Sequence, residues 1–297
     1  MDNSKKAILI TGTTGLVGSD LYSYLGKKSN HIITGTSRRL GTCVDIVADL
    51  SKADDVRNIQ NLFEPDIIVH TAAISKTDYC EQNPDLCYSA NVTSTINLHD
   101  VFPDAHIIFF STYAVYNTPT GGCDESCPIS PTNQYIRTKI ESEKILKEHV
   151  HTTILRPSVI FGYVDLERDS KNYFMQLLDN IRNEKVTKSP VDQYFNPVYS
   201  FEVAEIIRRL MIRGCEGVYN IGSDEKISKY EFNRLIIRRF GFDEKFLEGI
   251  DSRTLDVARP KNGTISVARI QKELAYRIPP LPDMIENLYQ SFIKKDS

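Results

Sequence analysis

Between residues 7 and 110, short apolar runs alternate with longer amphipathic segments, and this alternation limits the fold more than any other feature of the chain. The runs at 7–11, 31–36, 44–48, 66–70 and 106–110 read as strands. Several show little polar alternation, as strands covered on both faces do. Between them, segments 16–25, 54–62 and 86–101 repeat apolar residues three and four apart, the spacing of helices packed on a sheet. Strands alternating with helices require right-handed crossovers. The expected fold class is therefore α/β, a Rossmann-type doubly wound parallel sheet.

After Arg156-Pro157 the rhythm changes. Residues 165–171 are charged and loop-like, and 185–196 read as loop-rich. Segments 173–181, 202–212 and 229–240 read as helices and 217–221 as a strand. The expected division is a Rossmann-type domain over 1–158 and a smaller, discontinuous C-terminal lobe over 159–297. Segments near 192–221 are expected to return to the first domain.

A formal net charge of −3 and a pI near 6.1 provide no basic field for a nucleic-acid backbone. The pairs Arg208-Arg209 and Arg238-Arg239 sit beside apolar residues at helical spacing and read as solvated helix faces. The polar start, Met1 to Lys6, leads into an apolar run too short for a signal peptide. Nothing approaches the roughly 18 apolar residues of a membrane helix. A cytoplasmic location without membrane or nucleic-acid partners is expected. Six scattered cysteines read as reduced thiols. Cys123 and Cys127 could form half a metal site, but no second pair completes it, and no metal is expected.

The first candidate site is the loop Ile10-Thr11-Gly12-Thr13-Thr14-Gly15-Leu16-Val17-Gly18, between the first strand and the first helix. Gly12 permits a tight turn, Gly15 lets backbone N–H groups approach a pyrophosphate, and Gly18 allows close helix packing. The helix N-terminus adds unpaired donors and a favourable dipole. Gly12, Thr14, Gly15, Leu16 and Val17 are thus candidate cofactor contacts. At the end of the second strand an NAD-binding fold would place an acid; here Ser37-Arg38-Arg39 follow. Two guanidiniums and a hydroxyl suit a 2′-phosphate, so NADPH is expected over NADH.

Tyr135 and Lys139 lie at i and i+4, on one face of a helix running to about residue 148. An ammonium beside a phenol is expected to lower the phenol's pKa and make Tyr135 usable in proton transfer. Ser111-Thr112 ends a strand some two dozen residues earlier, at the sheet edge where open α/β folds bind ligands.

Together these features resemble the extended short-chain dehydrogenase/reductase family. The resemblance implies that Thr112 orients a substrate carbonyl, Tyr135 is the acid/base, and Lys139 binds the nicotinamide ribose. Asp49-Leu50 resembles the family's adenine-contacting acid, Thr71-Ala72-Ala73 its cofactor-lining loop, and Asn91-Val92 its stabilising asparagine. Within the family the chain is similar to the dTDP-4-dehydrorhamnose reductases. That likeness lies in His70-Thr71-Ala72-Ala73, Asp78, Glu81, residues 91–95, Ser111-Thr112, Asp192-Gln193, Asn196-Pro197, residues 217–219, residues 230–232 and Arg259-Pro260-Lys261-Asn262. It implies substrate contacts at Thr112, Tyr113, Asn196 and Arg259. It also implies NADPH-dependent reduction of the C4 keto group of a 4-keto-6-deoxy nucleotide sugar in deoxysugar biosynthesis. The chain departs from the rhamnose enzymes after Thr112, reading Tyr113-Ala114-Val115-Tyr116-Asn117, which resembles nucleotide-sugar epimerases. An epimerase or dehydratase is one alternative. A non-catalytic NADP-binding regulatory subunit, similar to the methionine adenosyltransferase beta subunit, is another. The substrate partner is a nucleotide sugar, and a homodimer is the candidate assembly.

Overall fold

The computed structural model describes residues 5–163, 172–254 and 261–296. It divides into two compact units, formed by residues 1–117, 128–156 and 203–219, and by 118–127, 157–202 and 220–297. The second unit therefore takes residues 118–127 out of the first half of the chain. Residues 203–219 return to the first unit and include most of α8 (Ser200–Arg213).

The first unit is built on β1 (Ala7–Thr11), β2 (Ile32–Ser37), β3 (Ile46–Val47), β4 (Ile67–His70), β5 (His106–Phe110) and β6 (Thr152–Pro157), with β11 (Gly217–Ile221) at one edge. The seven-stranded sheet runs β11-β6-β5-β4-β1-β2-β3, and every ladder from β3 to β6 is parallel. The strand order reverses beside β1, which pairs β2 on one side and β4 on the other. That reversal opens a crevice at the strands' carboxyl ends. All four residues of β4 are buried, which explains its unbroken apolar run. On one face Leu9, Ile68, Ile107 and Ile154 pack with Val56 and Ile59 of α2 (Ala53–Leu62), Leu98 and Leu146.

The segment 86–101, expected as one helix, lies in a run of three pieces. These are α4 (Pro84–Tyr88), a π turn (Ser89–Thr93) and α5 (Ser94–Val101). Helix α6 (Gln134–Leu146) starts where the Asn133 side chain accepts the Ile136 N–H at 2.8 Å, a standard N-cap.

The second unit contains α7 (Tyr173–Arg182), α9 (Lys229–Arg239), α10 (Ala268–Leu274) and α11 (Leu281–Asp296), with small two-stranded sheets. Residues 185–196, expected as loop, include β8 (Thr187–Pro190) and β9 (Tyr194–Phe195). Both strands are too short for two-residue periodicity to show in sequence. The core of this unit is aromatic: Phe232 packs against Phe161, Tyr173 and Phe195, and Phe240 against Phe174, Tyr289 and Phe292. Among the described residues no helix is long and apolar enough to cross a membrane.

Candidate functional site

At the carboxyl end of β1 the chain turns through Gly12, whose φ of 74° is left-handed. A Cβ there would stand 2.8 Å from the backbone of Ala72, and one at Gly18 would stand 2.5 Å from the Gly12 carbonyl oxygen. Only glycine fits either position. The turn leads into α1 (Leu16–Lys28), which has no side-chain cap and no acidic residue in its first turn. Its leading N–H groups and dipole therefore suit an anion. Thr14 and Ser37 hydroxyls meet at 2.8 Å, joining the glycine loop to the end of β2. Arg38 and Arg39 follow as exposed residues. This donor set, with a glycine cradle for a pyrophosphate and guanidiniums at the β2 end, fits a 2′-phosphorylated dinucleotide.

The loop after β4 is held from two sides. Thr71 donates its hydroxyl to the Thr11 carbonyl at 2.5 Å, and Ala72 N–H donates to Thr11 Oγ1 at 3.2 Å. Asn91, on the π turn, accepts from Ile74 N–H at 2.8 Å and donates to Ile74 O at 3.0 Å and Thr138 Oγ1 at 3.0 Å. Its side-chain amide is engaged within the protein. Asn91 fixes the loop beside the crevice. Asp49 likewise uses Oδ1 to accept from Ser51 N–H and Oγ at 3.1 and 2.8 Å, and Leu50 is buried. Those bonds turn the chain into α2.

Thr112, Tyr135 and Lys139 come together at the carboxyl end of β5. Thr112 lies beside the Tyr135 phenol and accepts the Ala114 N–H at 3.2 Å, starting the short turn Tyr113–Val115. Lys139 is buried; its ammonium donates to the Phe110 carbonyl at 2.7 Å and lies 4.6 Å from the centre of the Phe109 ring. Burial lowers Lys139 to about 8, against the opposing pull of Glu143 and of Cys87 and Cys80. Tyr135 departs from expectation. Burial first, then Cys80, Cys87 and Tyr113, raise its phenol above the ordinary value, and only the Thr112 hydrogen bond pulls it down. The protein makes this phenol a tighter holder of its proton rather than a more acidic one.

Sequence reasoning missed the layer behind these groups. Ser111 donates to Glu143, and Arg156 donates to the same carboxylate through Nε at 3.0 Å and Nη2 at 2.6 Å. Arg156 Nη1 also reaches the Tyr116 hydroxyl at 2.8 Å. Its signal was an arginine inside an apolar strand and a glutamate two turns after Tyr135 on one helix face. His70 was quoted only as part of the resemblance; it meets Thr11 Oγ1 at 2.8 Å and Thr95 Oγ1 at 3.3 Å.

In the second unit, Asn196 donates to Ser223 O at 2.8 Å and Ile265 O at 3.0 Å and accepts from Ile265 N–H at 3.1 Å. This buried amide latches two backbone segments. Nearby, Tyr194 N–H donates to Lys261 O at 2.8 Å, and Asp192 pairs with Lys261 at 3.2 Å. Arg259 lies outside the described residues.

Methionine adenosyltransferase 2 subunit beta of Mus musculus is 27% identical over 98% of this chain and 89% of its own length. A protein of Haloferax volcanii named probable low-salt glycan biosynthesis reductase is 24% identical, covering 95% of this chain and 97% of itself. The fold matches that of Bacillus anthracis dTDP-4-dehydrorhamnose reductase, solved in complex with NADP, at a TM-score of 0.83 and 22% identity, over 97% of this chain and 100% of that one. The family model for the RmlD substrate binding domain matches residues 6–293, and the chain belongs to that family.

Proposed function

We propose that this chain is an enzyme that reduces the keto group of a nucleotide-linked sugar with NADPH, the favoured substrate being the C4 ketone of a 4-keto-6-deoxy sugar. The observation that carries this reading is the convergence of Thr112, Tyr135 and Lys139 at the carboxyl end of β5, beside a glycine loop suited to a dinucleotide. Gly12, Gly15, Leu16 and Val17 would hold the pyrophosphate, and Ser37, Arg38 and Arg39 the 2′-phosphate. NADPH, when bound, supplies the hydride. Tyr135 delivers its proton to the sugar oxygen as negative charge develops there. Thr112, which lies beside Tyr135, donates to the same oxygen, so two donors stand where the charge appears. Lys139, fixed by the Phe110 carbonyl, supplies positive charge on the same helix face and is assigned to the nicotinamide ribose. The second unit is assigned the binding of the nucleotide sugar.

The deciding experiment follows NADPH oxidation across a panel of 4-keto nucleotide sugars. Stoichiometric NADPH consumption with at least one of them is expected. Turnover without net consumption would replace the reductase by an epimerase or dehydratase.

The relatives named methionine adenosyltransferase 2 subunit beta favour a second reading, a cofactor-binding regulatory subunit. It predicts no reduction of any sugar and altered kinetics of a methionine adenosyltransferase catalytic subunit on mixing. The assembled Thr112, Tyr135 and Lys139 weigh against it, because a regulatory module has no need of a proton donor held in place.

A further inference from the structure

Three consecutive residues at the end of β5 each meet a different residue of one α6 face. The Phe110 carbonyl accepts from Lys139, Ser111 donates to Glu143, and Thr112 lies beside Tyr135. Tyr135, Lys139 and Glu143 follow one another at four-residue spacing, so each sits about one turn beyond the last. Glu143 and Arg156 are both almost wholly buried and form a bidentate pair. An apolar pair of the same volume would commonly stabilise the fold at least as well, so a buried ion pair suggests a role beyond stability.

We propose that Glu143 is a positioning residue for the reaction: it fixes Ser111, and with it Thr112, against α6, and its carboxylate, one turn beyond Lys139 on the same helix, serves as the counter-charge of that ammonium. Arg156, itself bonded to the Tyr116 hydroxyl, holds the carboxylate that accepts from Ser111. The groups acting on the Lys139 ammonium come from every side. Glu143 is on its own helix, Cys80 on α3 (Thr77–Gln82), Cys87 on α4 and His70 on β4, while the Phe110 carbonyl comes from β5. Of these, Glu143 is the strongest support for the cation, opposing the burial that lowers it. The effect on turnover rests on the reductase reading; the effect on Lys139 does not.

The test uses the full chain labelled with ¹³C-lysine, with Lys139 titrated by NMR, alongside the pH profile of kcat/KM. Glu143→Gln should move the Lys139 titration down by about one pH unit, the low end of the effect of a neighbouring opposite charge. The alkaline limb of the profile should move with it. A Lys139 titration that stays in place overturns the proposal. Ser111→Ala keeps the charge and removes only the bond beside Thr112. It should leave the Lys139 titration unchanged and lower kcat about tenfold, as small misplacements of catalytic groups do. Wild-type kcat in this variant overturns the positioning half. Should Glu143→Gln not fold, Glu143→Asp retains the charge at shorter reach. It should keep the Lys139 titration and share the kcat loss of Ser111→Ala; a large downward shift would overturn the assignment. If Lys139 shifts as expected in Glu143→Gln while the wild type reduces no keto sugar, the reductase reading fails and the effect of Glu143 on Lys139 stands.

Discussion

Burial withdraws water from the phenol of Tyr135 and from the ammonium of Lys139, and the two respond in opposite senses because burial disfavours whichever form is charged. The phenol keeps its proton across the neutral range, as a donor to a developing alkoxide must. Lys139, lowered to about 8, is a cation below that pH and loses its charge as pH rises through it. The rate should therefore show an alkaline limb near pH 8, and Lys139→Met should abolish that limb along with most of the activity. Tyr135→Phe should retain NADPH binding and lower turnover by about two to four orders of magnitude, the range for lost acid catalysis. Wild-type turnover in that variant would remove Tyr135 from the proton-donor role. Cofactor choice is a residue-scale matter too. Replacing Arg38 and Arg39 by Ala should weaken NADPH about tenfold and leave NADH unchanged, because only NADPH carries the 2′-phosphate. Equal weakening in a fluorescence titration would return both arginines to the role of solvated surface. The three catalytic candidates were legible in sequence because helix spacing and a strand end locate them. The direction of the Tyr135 shift was not, since it depends on Cys80, Cys87 and Tyr113, which only the fold brings near.

At the scale of elements, the π turn at Ser89–Thr93 shows what periodicity cannot register. The segment keeps its helical pattern of apolar residues and reads as one helix, yet a single widened turn carries Asn91. Such turns often accompany functional sites. From there Asn91 bonds Ile74 in the loop after β4 and Thr138 in α6, and Thr138 Oγ1 donates in turn to the Tyr135 carbonyl at 2.7 Å. One amide thus couples the cofactor-side loop to the catalytic helix. Asn91→Ala should leave several buried polar groups without partners and destabilise the protein by about 3 kcal/mol, measured by urea unfolding. It should also weaken NADPH binding, although Asn91 itself is turned into the protein. The strands β1, β2, β4 and β5 were legible because they are buried runs bounded by turns. β6 was not, because Thr152, Thr153 and Arg156 break its apolar run. Its polar residues are accounted for by tertiary partners: Thr153 Oγ1 donates to Cys215 O at 2.6 Å, and Arg156 takes Glu143. The backbone groups that Asn196 serves, on Ser223 and Ile265, were illegible for a related reason, since only the fold brings them to it.

For the molecule as a whole, the response to acid follows from how its histidines are housed. His70 lies in the middle of the first unit's sheet between Thr11 and Thr95. Burial first, and the Lys139 charge second, lower it to about 3. His31, His106 and His149 are also lowered, with burial the leading cause in each. Above the ordinary histidine value of about 6.5 both folded and unfolded chains carry these rings neutral, and their linkage contributes nothing to the slope. Below it the unfolded chain takes up protons that the folded chain refuses. Stability is therefore lost progressively as pH falls from about 6.5 toward the folded values, which for His70 is about 3. Glu205 and Glu286, each held near 2 by hydrogen bonds and arginine charge, add a second loss. That loss sets in as the unfolded chain's carboxylates take up protons, near their ordinary value of about 4.5, so the histidines dominate the window between about 6.5 and 4.5. The urea midpoint of the wild type should fall steadily across that window. His70→Asn, which keeps polar groups beside Thr11 and Thr95 but cannot take up the proton, should show a shallower slope there and the same further loss below it. A wild-type midpoint that stays level from pH 6.5 to 4.5 would mean that these rings take up protons in the folded chain as readily as in the unfolded one. The buried polar chain through Thr11, His70 and Thr95 would then have no part in acid sensitivity.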